Sequence, residues 1–176
     1  MCGNTTKHRI GAALRQLMTD QPFEKITVQN LMDATNMKRQ SFYYHFRDTR
    51  DVLLWICLQE LAEPLLRSDL PYADWLILAM EIVDRDRAFY RKLLNAIHPD
   101  FIREMGRQIL WHRTTTMLYG NISDTQLDTN QRFVADFIVQ ALLEQFLRFI
   151  SGRVPLQTQV SRERISALLN VVRPSR

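Results

Sequence analysis

The stretch TVQNLMDATNMKRQSFYYHF, Thr27 to Phe46, reads as two short helices meeting at a tight turn. Thr27 makes a good N-cap, because its hydroxyl can accept from a free backbone N–H of the opening turn. Val28, Leu31 and Met32 follow at helical spacing on one side. The pattern stops at Asn36, one of the few residues besides glycine that takes a left-handed conformation at low cost, as a helix end in a tight turn requires. The spacing predicts a second helix that opens near Met37 and runs from Lys38 to Phe46.

Phe42 and Phe46, four apart, share a face with Met37 behind them and can pack on the first helix. Lys38, Arg39, Gln40, Ser41, Tyr43, Tyr44 and His45 are left over, and packing gives no reason to set two tyrosines and a histidine among cations in water. A DNA groove does. Arg and Lys match guanine edges or phosphates, Gln matches adenine, and tyrosine can pack on a thymine methyl or donate to phosphate. Two helices joined by a short turn, the second presenting such groups, describe a helix-turn-helix.

The run ITVQNLMDATNMKRQSFYYHFRDTRDVL, Ile26 to Leu53, resembles the DNA-binding signature of TetR-type transcriptional regulators, with a threonine start, a small turn residue and a Phe-Tyr-Tyr-His-Phe motif at 42–46. The resemblance implies that Thr27, Ser41, Tyr44 and His45 grip phosphate. It further implies that Gln29, Lys38, Arg39, Gln40 and Tyr43 read or touch bases. The chain departs from the pattern at the turn, where Asn36 replaces glycine, and at the next helix, where Thr49 replaces a common lysine and Arg47 and Arg50 stand beside it. Short runs at 39–46, 52–56 and 88–97 look similar to a TetR subgroup that regulates dihydroxyacetone kinase operons. In that subgroup the body can answer to a protein co-regulator instead of a diffusible inducer.

The 176 residues carry a net charge of +4, and its distribution is informative. Residues 1–50 hold 8 Lys plus Arg against 4 Asp plus Glu, and residues 51–176 hold 15 of each, so the whole excess lies with the candidate DNA reader. A hydrophobic content of 46% with only 5 Gly and 6 Pro, together with long stretches of helical period, predicts an all-α protein of about nine helices. The expected division is a helix-turn-helix DNA-binding head at 1–48 and a helical effector-binding and dimerisation body at 49–176. No apolar run reaches the ~18 residues of a membrane span, so a cytoplasmic protein without membrane contact is expected.

Around the head, a first helix is expected to start after Thr5 or Thr6, bury Ile10, Ala13, Leu14, Leu17 and Met18, and end before Gln21-Pro22. Lys7 and Arg9 either reach DNA or are solvated terminal charges. A fourth helix from Asp48 or Thr49 to Glu63 should be ended or kinked by Pro64. Its role would be to connect, so that a shift at its far end moves the reading head.

The body should hold helices at about 72–84, 87–97, with Asp86 as N-cap, and 100–119. Ser123 with Gln126 forms a capping-box pattern expected to open a long helix to Ile150 or Ser151, and Ser161 to open a last one. The long helix is apolar on more than one side, so it either runs through the core or meets a second subunit. The interface reading selects Phe133, Phe137, Ala141, Leu142 and Phe149 with Ile165, Leu168 and Leu169, and TetR-type proteins resemble this in pairing their last two helices as a four-helix bundle. A dimer would address a palindromic operator in double-stranded DNA.

Trp75, Phe89, Tyr90, Phe101, Met105, Trp111 and His112 form a candidate small-molecule pocket, although aromatic and methionine residues at helical spacing are more often plain core. No Gly-rich phosphate loop, nucleophile elbow or metal spacing occurs, and Cys2 and Cys57 are too few and too far apart for a cluster. No enzyme activity, cofactor or metal is therefore expected. The expected function is a homodimeric repressor released by an effector, small molecule or protein, on the body. The alternative is an activator or adaptor whose body answers to a protein co-regulator.

Overall fold

The computed structural model describes residues 2–152, 163–165 and 167, with side chains from Thr5 onward. These residues hold nine α-helices and no strand. They are α1 (Cys2–Asp20), α2 (Val28–Thr35), α3 (Arg39–Tyr43), α4 (Thr49–Cys57), α5 (Glu63–Arg67), α6 (Tyr72–Asp84), α7 (Arg87–Ala96), α8 (Pro99–Tyr119) and α9 (Thr129–Ile150). The expected last helix lies almost wholly outside the described residues, as do Leu168 and Leu169.

Two compact units form, residues 1–63 with 86–98 and residues 64–85 with 99–176. In the first, the α1 stripe of Ile10, Leu14 and Met18 is buried with Phe23, Ile26, Leu31, Met32, Phe42, Phe46, Val52, Leu53, Ile56 and Cys57. The helix α7 joins this unit by chemistry that no local pattern shows. Arg15 of α1 lies 3.8 Å from the ring centre of Phe89 and pairs with both Glu60 and Asp86, while the Lys92 ammonium donates to the Met18 carbonyl. The boundary at residue 48 separates expected roles, whereas the compact units follow packing.

Three helix ends depart from expectation. The first helix begins at Cys2, ahead of Thr5, since nothing in residues 2–6 forbids helical backbone. The helix α3 closes at Tyr43: the N–H of His45 donates to the Phe42 carbonyl at 2.9 Å, a bond three residues back that tightens the last turn. Pro64 does not stop the fourth helix. The backbone widens into a π-turn over Leu58–Ala62, where the Glu63 N–H reaches back five residues to Leu58, and helix resumes to Arg67. A local change of register next to a residue with no N–H is an ordinary way to absorb a missing bond.

In the second unit α8 and α9 pack along their length. Ala135, Ile138, Val139, Leu143, Phe149 and Ile150 give α9 its buried side, and Tyr72, Trp75, Ile102, Leu110 and Leu118 complete the core. Two buried polar groups find partners there: the Trp75 indole donates to the Leu65 carbonyl at 2.8 Å, and the hydroxyls of Tyr72 and Thr114 are 2.6 Å apart. Gly106 lets α9 approach, since a Cβ there would stand 2.6 Å from Leu143 Cδ1.

The long helix is opened by Asp128. Its carboxylate accepts from the Gln131 N–H at 2.8 Å, and the Gln131 side chain accepts from the Asp128 N–H at 3.0 Å. The expected Ser123 and Gln126 pair does meet, at 2.9 Å, but it opens only a three-residue turn over Asp124–Gln126. Asp128→Ala should therefore lower stability by about 1 kcal/mol in urea melts. Ser123→Ala should cost less than half of that.

The Cys57 thiol is buried in the head, and burial pushes its pKa from the ordinary 9.0 to about 12, with Glu60 adding to the rise. Unfolding above pH 9 then releases a proton that the folded chain retains, so this group takes stability away as pH climbs from 9.0 toward 12. In a Cys2→Ser background, a thiol reagent at pH 8 should label the protein only after denaturant is added.

Candidate nucleic-acid interface

The recognition geometry starts at the N-cap of α2. The Thr27 hydroxyl accepts from the Asn30 N–H at 3.2 Å, and the Asn30 side chain accepts from the Thr27 N–H at 2.9 Å. This reciprocal pair sets the helix entry. At its other end Asn36 takes φ 51 and ψ 45, the left-handed conformation read from the sequence, and the Met37 N–H closes on the Met32 carbonyl at 3.1 Å. The chain then turns at Lys38, the N-cap of α3.

Phe42 and Phe46 anchor that segment from below, both buried with ring centres 5.9 Å apart. With these two rings fixed, the intervening residues must face outward. Tyr43 is 55% exposed and Tyr44 84% exposed, while Lys38, Arg39, Gln40 and Ser41 are all exposed or nearly so. Among the described residues the side chains of Lys38, Arg39 and Gln40 make no hydrogen bond or ion pair, so their donors need not be taken from a protein partner before meeting another molecule. His45, half-buried, holds the Tyr44 ring edge-on at 4.9 Å between centres.

The remaining candidates are engaged within the chain or stand beside such a pair. Gln29 donates to Asp33 at 2.8 Å, and the Thr27 hydroxyl already serves the helix cap. The Arg47 side chain is loosely paired with Asp51 at 3.9 Å, and Arg50 is exposed beside it. All eleven candidate positions thus fall on one continuous segment, Thr27 to Arg50, within a single unit. What sequence reasoning missed is the use of Arg9, whose Nη2 donates to the Thr35 carbonyl at 3.0 Å. The two residues are 26 apart in sequence, and no spacing rule connects them.

The candidate pocket residues are divided between the two units. Phe89 and Tyr90 are core of the first unit, Trp75 is core of the second, Phe101 is exposed and Met105 half-buried. Trp111 and His112 do share an open cleft of about 580 Å³, whose other lining residues are Arg107, Gln108, Asp124, Arg132 and Asp136. This lining is mostly charged, unlike the apolar walls usual for a small-molecule pocket. Among the described residues no group of three His, Cys, Asp or Glu side chains is placed to hold a metal, and no helix is long and apolar enough to cross a membrane.

On α9, Phe133 and Phe137 are 70% and 68% exposed and their rings stack at 6.5 Å, with Val134 and Ala141 exposed alongside. Leu142 is half-buried against the core, and Ile165 is half-buried. Phe149 corrects the expected interface set: it is 1% exposed and packs inside its own chain, because it falls on the α9 face that carries Ile138 and Val139.

Among the described residues the regular structure is all helical, and its capped helix, left-handed turn and outward cationic and aromatic second helix define a helix-turn-helix. Residues 10–55, within the head, match the family described as "Bacterial regulatory proteins, tetR family". The chain is similar to the HTH-type dhaKLM operon transcriptional activator DhaS of Lactococcus lactis subsp. lactis, 30% identical over 91 residues that cover 50% of this chain and 48% of that protein. The match therefore spans about half the length of the curated relative. A solved structure titled "Dihydroxyacetone kinase operon activator DhaS" aligns over 94% of each chain with a TM-score of 0.71 at 20% identity, a likeness of fold.

Proposed function

We propose that this protein is a sequence-specific, DNA-binding transcriptional regulator that works as a homodimer. The observation that carries the reading is the bare face of Lys38, Arg39, Gln40 and Tyr43 above the buried Phe42 and Phe46. Lys38, Arg39, Gln40, Tyr43 and Gln29 serve bases, while Thr27, Ser41, Tyr44, His45, Arg47 and Arg50 serve phosphate. For Gln29 and Thr27 this means exchanging an existing internal bond for one to DNA, so their net contribution is the smaller.

Residues 1–48 act as the reader and residues 49–176 as the responding and dimerising part. The exposed Phe133, Val134, Phe137 and Ala141 face supports pairing through α9, since a monomer in water has no reason to expose two stacked phenylalanines. An effector that prefers the dimer arrangement unsuited to the operator would shift the population away from DNA. A protein effector is favoured over a small molecule, because the cleft that Trp111 and His112 line is open and mostly charged. The relative carries the name of an operon activator, and this favours activation over the repression expected from the family at large.

Gel-shift titration of the DNA upstream of the protein's own gene tests the reading. Specific binding should weaken steeply with salt, as phosphate contacts release counterions. Equal affinity for that fragment and a scrambled one would refute it.

A further inference from the structure

The turn between α2 and α3 is held by a residue from outside the motif. Thr35 closes α2, and the donors around it are already committed: the Met37 N–H goes to Met32, the Asn36 N–H to Asp33 at 3.4 Å, and the Thr35 hydroxyl to Leu31 at 2.7 Å. The Thr35 carbonyl receives the Arg9 guanidinium at 3.0 Å instead. A cation there satisfies an orphan carbonyl and meets the negative end of the helix dipole.

Immediately after this carbonyl comes the part of the turn that most needs support. Asn36 is in a left-handed conformation that only glycine adopts freely, and Lys38, two residues on, caps the reading helix. The start of α1 is engaged on the head as well, with the Lys7 ammonium 5.7 Å from the Phe46 ring centre and the His8 ring edge-on to Trp55 at 4.9 Å. We propose that Arg9 is a positioning residue for DNA reading, clamping the α2–α3 turn through the Thr35 carbonyl rather than contacting DNA. The proposal rests on the reading of the head as a DNA reader.

The test uses full-length Arg9→Met, which keeps a long apolar stem and removes the donors. Its preferred duplex is the one that the wild type protects in its own upstream region, and a scrambled duplex is the control. Affinity for the preferred duplex should fall about tenfold and affinity for the scrambled one should stay within about twofold, since only the aim of the reading helix is disturbed. The salt slope should match the wild type. Hydrogen exchange of the Asn36 and Met37 amides in the free protein should quicken.

Equal losses on both duplexes with a salt slope smaller by about one would make Arg9 a phosphate contact and overturn the proposal. Unchanged exchange at the two amides would overturn it too, whatever the DNA result. If the wild type itself prefers no duplex, the functional reading fails separately, and the exchange measurement alone judges the clamp.

Discussion

Arg39→Ala is expected to lose about 1–3 kcal/mol of binding to the preferred operator, roughly one to two powers of ten, and to relax base preference at one position of each half-site. Gln40→Ala should behave alike at a neighbouring position. The structural reason is that both side chains are exposed and hold no partner of their own chain, so removing them leaves nothing buried and unpaired behind. Surface changes of this kind move stability by about 0.5 kcal/mol or less, and melting curves should overlay the wild type. Tyr44→Ala and His45→Ala should instead weaken binding to every sequence, because phosphate contacts carry no base information. Competition gel shifts against a set of single-base operator variants measure both effects. Equal losses on all sequences from all four changes would contradict the division of roles.

The second large effect concerns assembly. Phe133→Asp with Phe137→Asp should turn the dimer into a monomer in sedimentation at micromolar concentration and lower operator affinity by two powers of ten or more. Two buried phenylalanines contribute ~150–250 Å² each to an interface, and a carboxylate in their place adds the cost of desolvating a charge. Loss of the second subunit also removes the gain from binding two half-sites with one molecule. Folding should survive, because both rings are already two-thirds exposed and form no part of the core. A variant that stays dimeric would place the interface elsewhere, and one that is monomeric yet binds the full operator as tightly would remove the need for pairing.

Local chemistry was legible in the sequence wherever a backbone rule and a side-chain pattern coincided. Thr27 as N-cap, Asn36 as the left-handed stop, and Phe42 with Phe46 as the buried pair each follow from one residue type in one conformation. The apolar excess of α9 was legible too, but not that Ile138, Val139 and Phe149 are buried in the core while Phe133 and Phe137 are exposed. Competition between equivalent signals was not legible either. Ser123 and Asp128 both open capping boxes, and only the fold decides that the second begins the long helix. Pro64 signalled a stop or a kink, and the outcome is a π-turn just upstream after which helix resumes.

Long-range ionic and backbone contacts were invisible for a different reason. Arg15 bridges Glu60 and Asp86, 45 and 71 residues away, and thereby draws α7 into the head unit. Arg9 reaches Thr35 in the same manner. A lone arginine on an amphipathic helix carries no mark of which carbonyl or carboxylate it will meet. Trp75, Phe89 and Tyr90 show the converse, in which residue types suited to a pocket are used as ordinary core.

The reading helix is tested most directly by a DNase footprint of wild-type protein on the DNA upstream of its own gene, with Arg39→Ala run beside it. The expected result is a protected palindrome whose half-sites lie about one helical turn apart or more, lost by the variant at concentrations where the wild type saturates. Uniform or absent protection by the wild type, or an identical footprint from the variant at equal concentration, would contradict the assignment of Lys38 to Tyr43 as the DNA-reading face.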